Sequence, residues 1–508
     1  MARRISTSKR RSLAAQVMQI PATQPDQFRQ LSKILSQDQI EDIHERSLSF
    51  LENYGLKVLS KKAQKILKAA GADVDDNTDM VRYDRGLVTK MLSTVPPKFT
   101  WYARNPNRNL EIGGNKTAFM AIASAPNASD ILNGRRPGTQ EDFQNLVRLS
   151  HSLNTVSAFG GYPVEPVDLP ASTRHLDCVY DFLTLSDKPF RIYALGASRI
   201  LDGIEMSRIA LNLSEEELLE TPCVISNINI NSPLLIDEPM LDGLIEMSSR
   251  NQPVIITPFT LAGAMAPISI AGALLQQNIE ALAGVIMTQA VRPGAPVIYG
   301  CFTSNVDMKS GAPAFGTPEY LRAALAGGQL ARFYGIPYRS SNANASNIVD
   351  AQATYESLFS LQGALGGGAH IVQHALGWLE GGLTASFEKM VLDAELLQSL
   401  ITAQAPIDTS EEEFAIEAMR EVGPGGHYFG SQHTMERYEN AFYSPLLSDW
   451  RNFGAWEEAG SPSALTRASK ISQKLINDYQ PPEIDPAIKE ELRNFIIRRK
   501  KEGGAIDG

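Results

Sequence analysis

Eight short apolar runs, amphipathic stretches of helical length between them, and no phosphate-binding fingerprint after any run predict an α/β fold of the TIM (β/α)8 barrel type. Helices at both ends add an N-terminal helical cap and a C-terminal helical extension. The alternative, an open doubly wound sheet, is disfavoured because the βα unit repeats regularly at roughly 35 residues. The glycine run GALGGGAH also precedes its strand, the wrong order for a dinucleotide turn, and reads as a tight αβ loop.

In chain order, residues 1–35 read as a disordered basic tail. Residues 36–115 form the cap: Ser36 and Gln39 make a capping box, Ile40, Ile43, Leu48 and Leu51 share one helical face, and Gly55 stops the helix. KKAQKILKAAGA repeats the pattern and ends at Gly71. The barrel spans 116–400. Its strands open at Ala118, Thr155, Pro189, Pro222, Pro253, Pro296, Ile336 and Ala369, four of them on a proline, where the missing N–H costs the ladder least. Helical segments follow, among them GTQEDFQNLVRLSHSL, STRHLDCVYDFLTL and TPEYLRAALAGGQLARFYG. Residues 401–508 form the helical extension.

The chain has 508 residues, with 47 Lys and Arg against 57 Asp and Glu, a formal charge of −10. No basic excess is available to neutralise phosphates, so a nucleic-acid partner is not expected. Three widely spaced cysteines, Cys178, Cys223 and Cys301, form no disulfide frame and no CxxC pair. No signal-peptide h-region and no run of about 18 apolar residues is present, so the expected location is cytoplasmic, without a membrane partner.

Barrel chemistry sits at the C-terminal ends of the strands. This sequence places there Tyr162, Asn227, Asn229, Phe259, Tyr299, Phe302, Tyr338, Arg339, Gln373, His374 and, a turn later, Trp378. No strand ends in a facing pair of carboxylates, as glycosidases need. No lysine stands on a late strand, as Schiff-base aldolases need, because Lys188 precedes its strand and Lys309 lies in a loop. Among seven histidines only His370 and His374 are close, and no metal site is expected. Aromatic rings attract a desolvated quaternary ammonium by about 2 kcal/mol, and a guanidinium grips a carboxylate. The same residues also suit ordinary barrel layers, with Arg339 paired to a nearby acid.

Several segments in order resemble the trimethylamine methyltransferase superfamily, in the branch lacking pyrrolysine and typified by glycine betaine methyltransferase. They include IHERSLSFLENYGLKV, PKFTWYARNP, NGRRPGTQEDF, NINSPLLIDEPM, TLAGAMAPISIAG, GTPEYLRAALAGGQLARFYGIPYR and GPGGHYFG. The resemblance implies a TIM barrel that moves a methyl group from an amine to the cob(I)alamin of a partner corrinoid protein, with no tightly bound cofactor. The family's pyrrolysine would fall near Asn342 or Ala343, where this chain carries standard residues, which favours a quaternary amine as substrate. The resemblance also implies Arg339 and His374 on the substrate's anionic end, Tyr162, Phe259, Phe302 and Trp378 as cage members, and a homo-oligomer. It names no catalytic residue. Direct transfer to tetrahydrofolate and a non-catalytic quaternary-amine binder are the alternatives.

Overall fold

The apolar runs fold as one curled parallel sheet. In a computed structural model that describes residues 17–505 apart from residue 29, the strands are β1 (Ala118–Ala121), β2 (Phe190–Tyr193), β3 (Val224–Ile230), β4 (Val254–Pro258), β5 (Val297–Gly300), β6 (Tyr338–Ser341) and β7 (Ile371–Leu376). Their order is β1-β7-β6-β5-β4-β3-β2, with every ladder parallel. The segment from Thr155, expected as a full strand, makes only two single bridges, Met120 to Ala158 and Phe159 to Phe190. Phe159 N donates to Pro189 O at 3.0 Å and Ala121 N to Ala158 O at 3.1 Å, so this segment touches both edges of the sheet. Gly160 and Gly161 follow at once, the latter at φ +127°, which ends the extended run before a ladder can form.

Eight helices cover the sheet: α1 (Gln140–Ser152), α2 (Arg174–Leu185), α3 (Ala197–Leu211), α4 (Glu238–Ser249), α5 (Ile270–Val291), α6 (Pro318–Tyr334), α7 (Ala351–Gly366) and α8 (Phe387–Ala403). A helical segment is legible in the sequence for each of these except α3. That helix opens at Gly196 without a side-chain cap, so no start signal marks it. Helix α5 is long and apolar enough to cross a membrane, but 78% of the stretch is buried inside the protein. The helix Gln37–Asn53, with its capping box at Ser36 and Gln39, packs on α5.

Two features fix the closed end of the sheet. The hairpin Lys98–Trp101 and Leu110–Gly113 inserts Trp101, Leu110 and Ile112 against Met120, Ala158, Ile225, Ile255, Ile298 and Ile371. This apolar floor is a cluster separate from the larger core beneath the helices. The described part of the expected tail is an extended strap and not free chain: Gln19 donates to Ser152 O, Gln27 to Gly368 O, and Leu35 N to Gln329. Residues 1–16 of that tail lie outside the described residues. At the other terminus, helix Ala464–Asn477 packs on α1 and α8. Helix Pro486–Lys501 is tied to α3 through Arg499 and Asp202, 2.6 Å apart, with His175 on the same carboxylate at 2.8 Å. The three cysteines are buried and free.

Candidate active site

Above the apolar floor the strands contribute a polar layer. Arg339 on β6 is buried to 1% exposure, in register with Gly300 on β5 and Ile371 on β7. Its Nε donates to Gln373 Oε1 at 2.9 Å, and the same oxygen accepts Asn227 Nδ2 at 3.0 Å. Gln373 Nε2 reaches Gly160 O at 3.3 Å, and Arg191 Nε donates to that carbonyl as well. One hydrogen-bonded chain therefore links Arg191, Gly160, Gln373, Arg339 and Asn227. Gly161 makes room for it: a Cβ there would stand 2.6 Å from Arg191 Nη2.

The layer is strongly positive. Burial holds the Arg339 guanidinium down at about 10, and Arg191 pushes it the same way. Arg191 is likewise lowered by burial. Among the described residues no carboxylate is one of the strongest influences on Arg339, whose Nη1 is buried without a partner, as is Asn227 Oδ1. His374 follows on β7 with φ +55°. Its Nδ1 accepts the Ala123 N–H at 3.3 Å, which puts the proton on Nε2. Burial first, and then the two guanidiniums, hold its pKa well below the ordinary histidine value, so the ring is neutral at neutral pH and Nε2–H is a donor.

Aromatic rings stand beside this layer. Phe302 stacks on Phe259 at 5.2 Å and on Phe315 at 5.4 Å. Trp378 meets Phe302 and Phe315 edge-on at 6.3 and 6.1 Å, and His374 lies 4.4 Å from Trp378. The Arg339 guanidinium carbon is 5.3 Å from the Phe302 ring centre. Together these residues can bind a molecule with an anion at one end and a soft cation at the other. Among the described residues no group of three His, Cys, Asp or Glu could hold a metal ion.

The structure thus brings together Arg339, His374, Phe259, Phe302, Trp378 and Asn227. It does not bring Tyr162 to the same wall: Tyr162 packs against Tyr193 at 4.4 Å and against Phe143 at 5.8 Å, a separate aromatic group next to Arg191. Asn229, two residues beyond Asn227 on β3, is exposed. Asn342 is buried, its Nδ2 donating to Ala375 O at 3.0 Å, and Ala343 is buried beside it. Arg191, Phe315 and Tyr320, which meets Phe302 and Phe315 edge-on at 6.1 and 6.3 Å, are not among the residues expected from the sequence. A charge inside the apolar run PFRIYAL was the available signal for Arg191; Phe315 lies in a loop and carries none.

The family model for trimethylamine methyltransferase (MTTB) matches residues 2–504. The chain belongs to the trimethylamine methyltransferase family. It is 36% identical over 472 residues to a glycine betaine methyltransferase of Desulfitobacterium hafniense, covering 93% of this chain and 98% of that one. A trimethylamine methyltransferase of the same species is 28% identical, covering 92% and 94%. A crystal structure of the Methanosarcina barkeri monomethylamine methyltransferase aligns with a TM-score of 0.43 at 12% identity, covering 87% and 98%. This member of the trimethylamine methyltransferase family is a methyltransferase, and its polar layer carries two buried arginines, Arg191 and Arg339, linked through Gly160 and Gln373 in one hydrogen-bonded chain.

Proposed function

We propose that this protein removes a methyl group from a betaine-type quaternary amine and passes it to the cob(I)alamin of a partner corrinoid protein. The carrying observation is Arg339: a buried guanidinium with a free Nη1 and no acid beside it, next to an aromatic wall. A carboxylate bound there gains a charge-assisted hydrogen bond in a dry setting. His374 Nε2–H is placed to donate to the same anionic end, and Phe259, Phe302 and Trp378 face the ammonium. Tyr162 takes part through Tyr193, and Asn229 at the rim. This reading also takes Ala158 and Phe159 as the eighth stave of a (β/α)8 barrel over 116–400, flanked by the cap 36–115 and the extension 401–508.

Methyl loss from a quaternary nitrogen leaves its electron pair on nitrogen, so a neutral tertiary amine departs and no general acid is needed. The docked corrinoid supplies the nucleophile; this chain supplies positioning and exclusion of water. A site with neutral His374 and no paired carboxylates suits that division. The test incubates the protein with reduced cobalamin and glycine betaine, proline betaine, carnitine, γ-butyrobetaine or choline. Methylcobalamin and a demethylated amine are expected. No turnover of any of the five, or methyl accumulating on tetrahydrofolate alone, would refute the proposal.

A further inference from the structure

The polar layer is open on its β4–β5 side. Ile255 belongs to the apolar floor, so Thr257, two residues on, faces the interior, where it is 4% exposed and its Oγ1 has no hydrogen-bond partner. On the next strand Tyr299 and Cys301 turn outward to Gln277 on α5, which turns Gly300 and Phe302 inward. Gly300 therefore leaves a gap in the layer, one side chain wide. A Cβ there would stand 2.8 Å from Thr257 Oγ1, and across its other ladder Gly300 is in register with Arg339. Phe302 follows on the same face, its ring centre 5.3 Å from the Arg339 guanidinium carbon.

An unpartnered hydroxyl, an unpartnered guanidinium nitrogen and a position without a side chain thus fall together. Arg339 gives its Nε to Gln373, which closes the side-on fork that a guanidinium offers a carboxylate and leaves Nη1 for one of the two oxygens. The second oxygen needs another donor. Asn227 Oδ1 also lacks a partner, but it does not serve: its Nδ2 faces Gln373 Oε1, which already accepts Arg339 Nε, so the free atom of Asn227 is an acceptor and repels an anion. Thr257 Oγ1 carries a proton on a rotatable hydroxyl. We infer that Thr257 and the gap at Gly300 complete the seat for the substrate's carboxylate. One oxygen takes Arg339 Nη1–H, and the other, lying in the gap, takes the Thr257 hydroxyl. This rests on the proposed betaine activity and names the residues that set its preference for a carboxylate, since even a methyl group at position 300 takes the space of the second oxygen.

Titration calorimetry with glycine betaine, which needs no methyl acceptor, tests the seat separately from the chemistry. Thr257→Val keeps the shape and removes the hydroxyl. It is expected to weaken glycine betaine binding by roughly 10- to 150-fold, the value of one charge-assisted hydrogen bond. The Tm of the ligand-free variant is expected to stay at or above wild type, because a buried hydroxyl without a partner gives way to a methyl group. Thr257→Ser is expected to restore the affinity. Ser341→Ala, which removes an unpartnered hydroxyl two residues beyond Arg339, is expected to leave it near wild type. Unchanged affinity in Thr257→Val, an equal loss in Thr257→Ser, or a loss in Ser341→Ala instead would overturn the inference and leave the proposed activity standing. A wild-type chain that binds no carboxylate-bearing betaine would overturn both. Affinity that depends on Thr257, with no methyl transfer in the cobalamin assay, would support the seat and overturn the activity alone.

Discussion

Arg339→Met is expected to preserve or raise the thermal stability of the ligand-free protein while weakening its use of carboxylate-bearing substrates. Burial lowers the guanidinium from the ordinary arginine value to about 10, which at 1.36 kcal/mol per pH unit corresponds to a cost on the order of 3 kcal/mol. The sign follows from proton linkage. The unfolded chain holds this proton more tightly, so the cost is fully present below about pH 10 and is relieved progressively as pH rises above it toward the ordinary arginine range. Methionine fills similar space and gives up the Nε bond to Gln373, worth about 0.5–1.5 kcal/mol. Gln373 Oε1 keeps Asn227 Nδ2 at 3.0 Å, so no acceptor is orphaned. The balance lies on the side of methionine, as when buried ionic groups are replaced by apolar ones.

The loss of activity is set by one free donor, Nη1. A charge-assisted hydrogen bond is worth about 1.5–3 kcal/mol, or roughly 10- to 150-fold in kcat/KM. Choline, which lacks the carboxylate, serves as the internal control and is expected to change little. The assay pairs thermal unfolding of the ligand-free proteins with kcat/KM for glycine betaine and choline. Equal losses for both substrates, or a Tm several degrees below wild type, would show that Arg339 is a structural residue and that its missing acid has no bearing on function.

Gln373→Leu leaves Arg339 Nε and Asn227 Nδ2 buried without acceptors, at about 1–3 kcal/mol each. Its Tm is expected to fall and its KM for a betaine to rise, and wild-type values for both would sink the positioning role. Gly161→Ala combines φ +127° with a Cβ 2.6 Å from Arg191 Nη2. It is expected to cost about 1–3 kcal/mol of stability, and an unchanged Tm with unchanged betaine kinetics would show that Arg191 tolerates displacement. Burial, reinforced by Lys188, lowers His151 to about 4, and His374 lies well below the ordinary 6.5. Both take up protons on unfolding, so stability is expected to be full above pH 6.5 and to fall as pH drops below it. His374→Gln should flatten the Tm profile between pH 7.5 and 5; an identical profile would contradict the buried neutral ring.

The strands were legible because most are short buried runs rich in apolar residues, and the helices wherever a cap such as Ser36, Thr139 or Thr317 announced the first turn. Helix α3 has no such cap, and the Thr155 segment is cut short by Gly160 and Gly161. Half of the site was visible as a roll of strand-end residues, but such a roll has no height. Asn227 and Asn229 point to the same side of β3, yet one is locked to Gln373 and the other reaches solvent at the rim. Tyr162 belongs to a different wall because its strand bends at Gly161. Arg191 and Arg339 become neighbours through the curl of the sheet, a long-range fact that no local spacing carries.

The vertical order of the interior bears on the direction of transfer. The floor of Trp101, Ile225, Ile255 and Ile298 is an apolar cluster whose one indole N–H is already bonded to Cys223 O, so under the proposed activity a charged substrate stops at the layer of Arg191, Gln373 and Arg339. Under the proposed activity the carboxylate is then the deep end, and the ammonium lies above it against the aromatic rings, its methyl groups toward the C-terminal ends of the strands. A small substrate fully gripped at its anionic end presents its methyl to an incoming nucleophile without a lid, and the loops after β5 and β6, which carry Phe315 and Asn344, become part of the surface the acceptor meets. Under the same proposed activity the buried positive charge carries a cost in stability that a bound carboxylate would compensate, and that difference is binding energy directed at one end of the molecule.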